Sequence, residues 1–272
     1  MLESEMLRKL GARMRDRSVK IVGSGGGIGT PLTRAVVQFL AFGYPSCKVF
    51  LVDGDAYEER NRTRVLFDAP GNKAVVQSQQ LSEVLGGVPA IVPIPRYLTP
   101  RNAHRLIEER DVVFLCVDNH ASRKAVADSV RRRQLSDIVL ISGGNDGVEK
   151  GRQGTFGNVM VYIRQNGRDV TNPLTRFHAE IAKPHDKRPD QLGCGELAHS
   201  APQLLLTNLA VAAAMLNPFY GWLSGQLDYE ELFLDIGKGR MNAVKRRVAS
   251  PAHRRPRAQP RHARVLASQK TF

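Results

Sequence analysis

Apolar runs alternating with helical patterns predict an α/β fold built on a doubly wound, mostly parallel sheet. Three observations carry this. The apolar run Val19–Val22 leads directly into Gly23-Ser24-Gly25-Gly26-Gly27-Ile28-Gly29. The acidic pair Asp53 and Asp55 closes the next apolar run, and Asp118-Asn119 closes a later one. Ligands of such sheets bind outside the carboxyl ends of the strands, where all three groups fall.

The elements run in order along the chain. Leu2, Met6, Leu10 and Met14 recur every four residues with charges between them, which predicts an amphipathic helix over 2–16. Val19–Val22 is a first strand, 30–42 a helix, Lys48–Val52 a second strand and Lys73–Leu85 a helix. Ala90–Ile94 is a short third strand. A helix over 100–109 then leads to strand Val112–Val117, and a helix over 120–134 leads to strand Ile138–Ile141. After Ser142-Gly143-Gly144 the rhythm changes. Phe156–Ile163 reads as a longer antiparallel strand, 200–216 as a buried Ala/Leu-rich helix and Glu231–Ile236 as the last strand. The polar, basic stretch 165–198 between them is unusually long for a loop in a compact domain, and such loops are often functional. The chain therefore divides into an N-terminal helix (1–17), one domain (18–240, with a crossover loop at about 165–198) and a C-terminal tail (241–272).

Composition sets further bounds. A chain of 272 residues with 42% hydrophobic content can bury a substantial core. No apolar run reaches the ~18 residues needed to cross a bilayer, and the first residues lack the apolar stretch of a signal peptide. Three cysteines, Cys47, Cys116 and Cys194, make no disulfide framework, which points to a reducing cytoplasm. Net charge is +14, but residues 240–272 carry ten Lys/Arg and no Asp/Glu, so removing them leaves about +4 for the body. That tail, broken by Pro251, Pro256 and Pro260, cannot bury enough apolar surface to fold alone. It reads as a solvated disordered segment, with nucleic acid or an acidic partner as its functional alternative.

The glycine turn alone admits several chemistries. The dinucleotide fingerprint needs a small residue five positions after its first glycine. Counting from Gly23 that position holds Ile28, and counting from Gly25 it holds Thr30. Gly23-x-x-x-Gly27-Ile28-Gly29 imitates the motif of short-chain dehydrogenases. Their Tyr-x-x-x-Lys pair, however, is matched only by Tyr44 and Lys48, with Pro45 between them. A third reading is ATP: glycines let the backbone approach phosphates, and the helix N-terminus beyond them favours anions. The same glycines would also serve a simple tight turn.

Once the residues beyond the turn are included, the chain resembles the ThiF/MoeB/HesA family, within the superfamily of the ubiquitin-activating enzymes. The matching residues are the glycine turn, Leu51-Val52-Asp53-Gly54-Asp55, Asn61-Arg62-Thr63-Arg64, Lys73 and Cys116-Val117-Asp118-Asn119. Ile141-Ser142-Gly143-Gly144 and Gly193-Cys194-Gly195-Glu196 complete a series over about residues 18–236. The Gly-rich start and the Cys-Gly-Glu segment are similar to ThiF-like members of PRTRC plasmid-associated systems in particular.

The resemblance implies a Rossmann-like adenylation fold with an antiparallel C-terminal extension. It implies an ATP- and Mg²⁺-dependent adenylyltransferase acting on the C-terminal carboxylate of a ubiquitin-like or sulfur-carrier protein ending in Gly. It assigns Gly23, Gly25, Gly26, Gly27, Gly29, Asp53, Asp55, Asn61, Arg64, Lys73 and Asn119 to ATP. Arg64 and Lys73 supply cations to the phosphates, Asp118 holds Mg²⁺, Asp53 accepts from the ribose, and Cys194 forms a thioester with the carrier. A homodimer is implied, with Arg8, Arg13, Arg15 and Arg17 as candidates for an arginine given across it. The two Cys-x-x-Cys pairs of many relatives are missing, so no zinc is expected. Alternatives are a degenerate nucleotide-binding scaffold of a plasmid- or DNA-associated complex and an NAD(P)-dependent oxidoreductase.

Overall fold

A computed structural model describes residues 12–63, 65–149, 151–192 and 202–245. Parallel strands β1 (Ser18–Val22), β2 (Lys48–Val52), β3 (Ala90–Ile94), β4 (Val112–Leu115) and β5 (Ile138–Asn145) lie in the order β3-β2-β1-β4-β5. The sheet continues antiparallel from β5 through β6 (Phe156–Gln165), β7 (Glu231–Asp235) and β8 (Arg240–Val244). The expected doubly wound, mostly parallel sheet with an antiparallel C-terminal extension is therefore what forms.

Strands β1, β4 and β5 are buried on both faces because helices cover both sides, as parallel sheets require. On one face lie α1 (Gly29–Gly43), α2 (Lys73–Val84) and α4 (Leu205–Ser224), which share a core with Val19, Ile21, Phe114 and Ile141. In α1 the buried positions Leu32, Val36, Val37 and Leu40 keep the helical period. On the other face α3 (His120–Val130) packs Val126, Ala127 and Val130 against Val113, Leu115 and Leu140. No helix among the described residues is long and apolar enough to cross a membrane.

The chain crosses from one side of β1 to the other between β3 and β4. The switch point of the sheet thus lies between the carboxyl ends of β1 and β4, directly above Gly23 and Cys116. The outer strands are β3 and β8. On β3 the carbonyl of Ile94 accepts from Asp53 N at 3.2 Å, so Ile94 faces β2 and its neighbour Pro93 faces outward.

Several expectations are corrected. The helix over 100–109 shrinks to Ala103–Leu106. Asn102 accepts from Thr99 N and donates to the Tyr97 carbonyl, closing a turn in place of a first helical turn, and Arg110 at φ 68 ends the segment. The helix over 120–134 ends at Val130, and the helix placed at 200–216 runs from Leu205 to Ser224, ending on left-handed Gly225. The long loop holds short elements at Arg168–Asp169, Leu174–Arg176, Ala179–Ala182 and Pro189–Gln191. Glu231–Asp235 is not the last strand. β8 comes after it, so the tail drawn from 241 begins inside a strand; β8 is short and largely exposed. Of the helix expected over 2–16, only 12–14 are described as helix, with Met14 buried. Arg8, Arg64 and Cys194 lie outside the described residues, as does the tail beyond Lys245.

Candidate functional site

The end of β1 is stitched between its neighbours. Gly23 N donates to the Val52 carbonyl at 2.8 Å, and Cys116 N donates to the Val22 carbonyl at 2.8 Å. Gly23 then turns at φ +77, with a Cβ there meeting the Cys116 backbone at 3.0 Å, so glycine is required on both counts. Gly25, Gly26 and Gly27 line a cleft of about 1350 Å³, whereas Gly29 opens α1. No side chain caps α1 and no acidic residue stands in its first turn. Its amide-rich, positive end is thus left for an anion.

Asp53 leaves β2 almost completely buried, at 7% exposure. Its Oδ2 accepts from Gly25 N at 2.9 Å and its Oδ1 from Asp55 N at 3.0 Å. The carboxylate therefore holds the glycine loop and its own turn, and a ribose hydroxyl would be an additional donor to it. Burial pushes the Asp53 carboxyl up to about 6, against the opposing pull of Lys73.

Lys73 opens α2. Asn72, just before it, caps the helix by accepting from Ala74 N and Val75 N, and its amide donates to the carbonyls of Asp53 and Asp55 at 2.9 and 3.0 Å. That single cap ties α2 to the end of β2 and delivers Lys73 to the cleft. The Lys73 stem runs over Gly25, and its Nζ lies 3.2 Å from Asp55 Oδ2. The other Asp55 oxygen accepts from the Tyr97 hydroxyl. Asn61 also lines the cleft, with its Oδ1 accepting from Glu58 N at 2.9 Å to close the turn at Glu59–Thr63.

Across the cleft, Asp118 is exposed and touched by Asn119 Nδ2 at 3.4 Å. Asn119 is the cap of α3, its Oδ1 accepting from Ser122 N at 2.7 Å. Asp118 fits a Mg²⁺ ligand: it is a hard oxygen donor lining the same cleft as the glycine loop, and Mg²⁺ in nucleotide sites commonly takes one or two carboxylates plus substrate phosphates. Cys116 is buried in the core, and burial pushes its thiol up to about 12, which removes it as a nucleophile.

Three further groups belong to none of the sequence motifs. Arg123 is 4% exposed. It donates to Ser142 Oγ at 2.7 Å and to the carbonyls of Val117 and Gly143 at 2.7 and 2.8 Å, joining the carboxyl ends of β4 and β5 behind Asp118. Asp186 of the crossover segment accepts from His120 N and Ala121 N at 2.6 and 2.9 Å, docking that segment on the N-terminus of α3. His178 lies between Glu180 and Glu231, with contacts of 3.0 and 2.8 Å, and the hydrogen bond to Glu231 raises its pKa. The sequence does hold a signal for Asn72, a capping residue directly before an expected helix start. Arg123 sits five residues beyond Asp118 on the inward face of α3, a position where a buried arginine is costly unless it serves the site.

A family model, that of the ThiF family, matches residues 4–251. The chain is 31% identical over 120 residues to "Adenylyltransferase and sulfurtransferase uba4" of Aspergillus clavatus, across 43% of this chain and 23% of that protein. The protein of the same name from Emericella nidulans is 30% identical over 120 residues, 43% of this chain and 24% of that one. The matched stretch thus spans about a quarter of the length of these curated relatives. Among solved structures, PaaA matches at a TM-score of 0.61 and 15% identity, covering 88% of this chain and 66% of that one. E. coli MccB with ATP matches at 0.60 and 14% identity, with the same coverage. At these identities the structural matches establish the fold.

Proposed function

The chain belongs to the ThiF family, and from that membership and the cleft we propose that it is an ATP-dependent adenylating enzyme. Its substrate in this reading is the C-terminal carboxylate of a ubiquitin-like or sulfur-carrier protein ending in Gly. The single observation that carries the reading is the convergence on one cleft of the uncapped start of α1, the Lys73 ammonium and the Asp118 carboxylate.

In the proposed reaction a carboxylate oxygen attacks the α-phosphorus of ATP, the bond to the bridging oxygen breaks, and pyrophosphate leaves with its electron pair. The products are an acyl-adenylate and pyrophosphate. Charge develops on phosphoryl oxygens, so fixed donors there act on the transition state. In this reading the α1 amides and Lys73 supply such donors, and Arg64 would add a second cation. Mg²⁺ held by Asp118 would neutralise phosphate charge when bound. The cleft exceeds the ~300–1,000 Å³ of an ordinary small-molecule pocket, which leaves room for a peptide end beside the nucleotide. Cys194, in the crossover loop, would then take the acyl group from the adenylate as a thioester, releasing AMP.

The test is ATP–pyrophosphate exchange with a small carrier encoded beside this protein. Exchange dependent on the carrier's terminal Gly is expected. Its absence with every such carrier, beside a working control enzyme, would overturn the proposal. The Cys194 step predicts a carrier conjugate that disappears on adding thiol and does not form in Cys194→Ala.

A further inference from the structure

Tyr97 lies just beyond β3 at the edge of the cleft and belongs to none of the motifs above. Its ring packs directly on the backbone of Gly54, where a Cβ would come within 2.6 Å of ring carbons. Its hydroxyl donates to Asp55 Oδ1, while Asp55 Oδ2 holds the Lys73 ammonium at 3.2 Å. The Asp55 backbone is fixed from both sides: its N–H donates to Asp53, and its carbonyl accepts from Lys73 N at 2.9 Å and from Asn72. The freedom left to Asp55 is rotation of its carboxylate, and the Tyr97 hydroxyl removes it. Lysine carries several freely rotating bonds, so an ammonium not held in this way samples many positions.

We propose that Tyr97 is a positioning residue: through the Asp55 carboxylate it aims the Lys73 ammonium at a polyphosphate lying along the glycine loop. The inference rests on the reading of the cleft as an ATP site and names how its cation is set. Tyr97 acts on the phosphate chain, through Lys73, and not on the nucleoside.

The experiment is calorimetric titration of the full chain with Mg²⁺-ATP, and saturation NMR with adenosine, for the wild type, Tyr97→Phe, Lys73→Ala and the double variant. Phenylalanine keeps the ring on Gly54, so the melting temperature should not move. Tyr97→Phe is expected to weaken ATP binding roughly fivefold or more, within the coupling seen inside one hydrogen-bond network, and to leave adenosine binding unchanged. In the Lys73→Ala background the same substitution should have no further effect. Asp55→Asn, which loosens the hold on Lys73 from the other side, should reproduce the selective loss. ATP binding by Tyr97→Phe as tight as wild type or tighter, an equal loss for ATP and adenosine, or a loss that adds fully to that of Lys73→Ala each overturns the positioning role. A wild-type chain that binds no ATP overturns the nucleotide reading itself, a distinct result.

Discussion

The Cβ of Lys73 stands 2.3 Å from where a side chain on Gly25 would begin. Gly25→Ala must therefore move either the loop or the lysine, and overpacking of this kind costs about 1–3 kcal/mol. A lower urea midpoint together with weaker ATP binding is expected. A variant with unchanged midpoint and unchanged affinity would show that the two segments do not press on each other.

Lys73→Ala and Asp118→Asn are expected to impair exchange by different routes. Loss of the lysine should slow the chemical step by about 2–4 kcal/mol, as for other charge-stabilising donors. Asp118→Asn should shift the Mg²⁺ concentration for half-maximal exchange upward. Circular dichroism should be unchanged in both. Near-normal exchange in Asp118→Asn at low Mg²⁺ would remove the metal role.

The buried Asp53 carboxyl, held at about 6, ties stability to pH. The unfolded value is about 3.9, so folding takes up protons at this site between about pH 4 and 6. Its contribution is full below the unfolded value and is lost as pH rises through about 6. Asp111, also pushed up to about 6 by burial, acts in the same window. Urea titrations from pH 4 to 7 should show a shallower decline for Asp53→Asn than for the wild type. The difference should approach about 2–3 kcal/mol across the range. Parallel curves would mean that Asp53 titrates normally.

Arg123→Met would strip partners from two strand-end carbonyls and from Ser142 in a closed environment. Leaving a buried acceptor without its donor costs about 1–3 kcal/mol for each group. A chemical denaturation midpoint close to wild type would contradict the bridging role.

Asp186→Ala removes the acceptor for two amides at the start of α3. Lost caps cost about 0.5–2 kcal/mol. Hydrogen exchange should rise at His120 and Ala121 and along 183–192, with β1 and β4 unaffected. Unchanged protection in 183–192 would show that other contacts hold the crossover segment.

Much of the fold is legible in the chain itself. Lys48–Val52 and Ala90–Ile94 keep their expected ends, because short apolar, β-branched runs flanked by turn residues leave little choice. Asp53, Asn61, Lys73 and Asp118 meet in one cleft, because each comes after a strand that ends at the same sheet edge. The hidden part depends on contacts remote in the chain. Nothing local to Tyr97 signals its hydrogen bond to Asp55, 42 positions away. Asp186 caps a helix that begins 66 positions before it. The ribose role expected of Asp53 does not anticipate that both its oxygens already hold backbone amides. β8 escapes because it is only five residues long and almost wholly exposed, so its Met241 and Ala243 mark no buried face.

The sheet's two borders are unlike. On β3 the outward-facing Pro93 offers no N–H, whereas β8 presents its outer rim with no strand beside it among the described residues. Strand addition to this protein would therefore be one-sided. Two chains meeting rim to rim through β8 would make one continuous sheet with a proline-bearing strand at each extremity, and growth would stop at two. A fibre grown by adding strand to strand needs an open border on both flanks of every subunit, and the N–H missing at Pro93 weakens one of them.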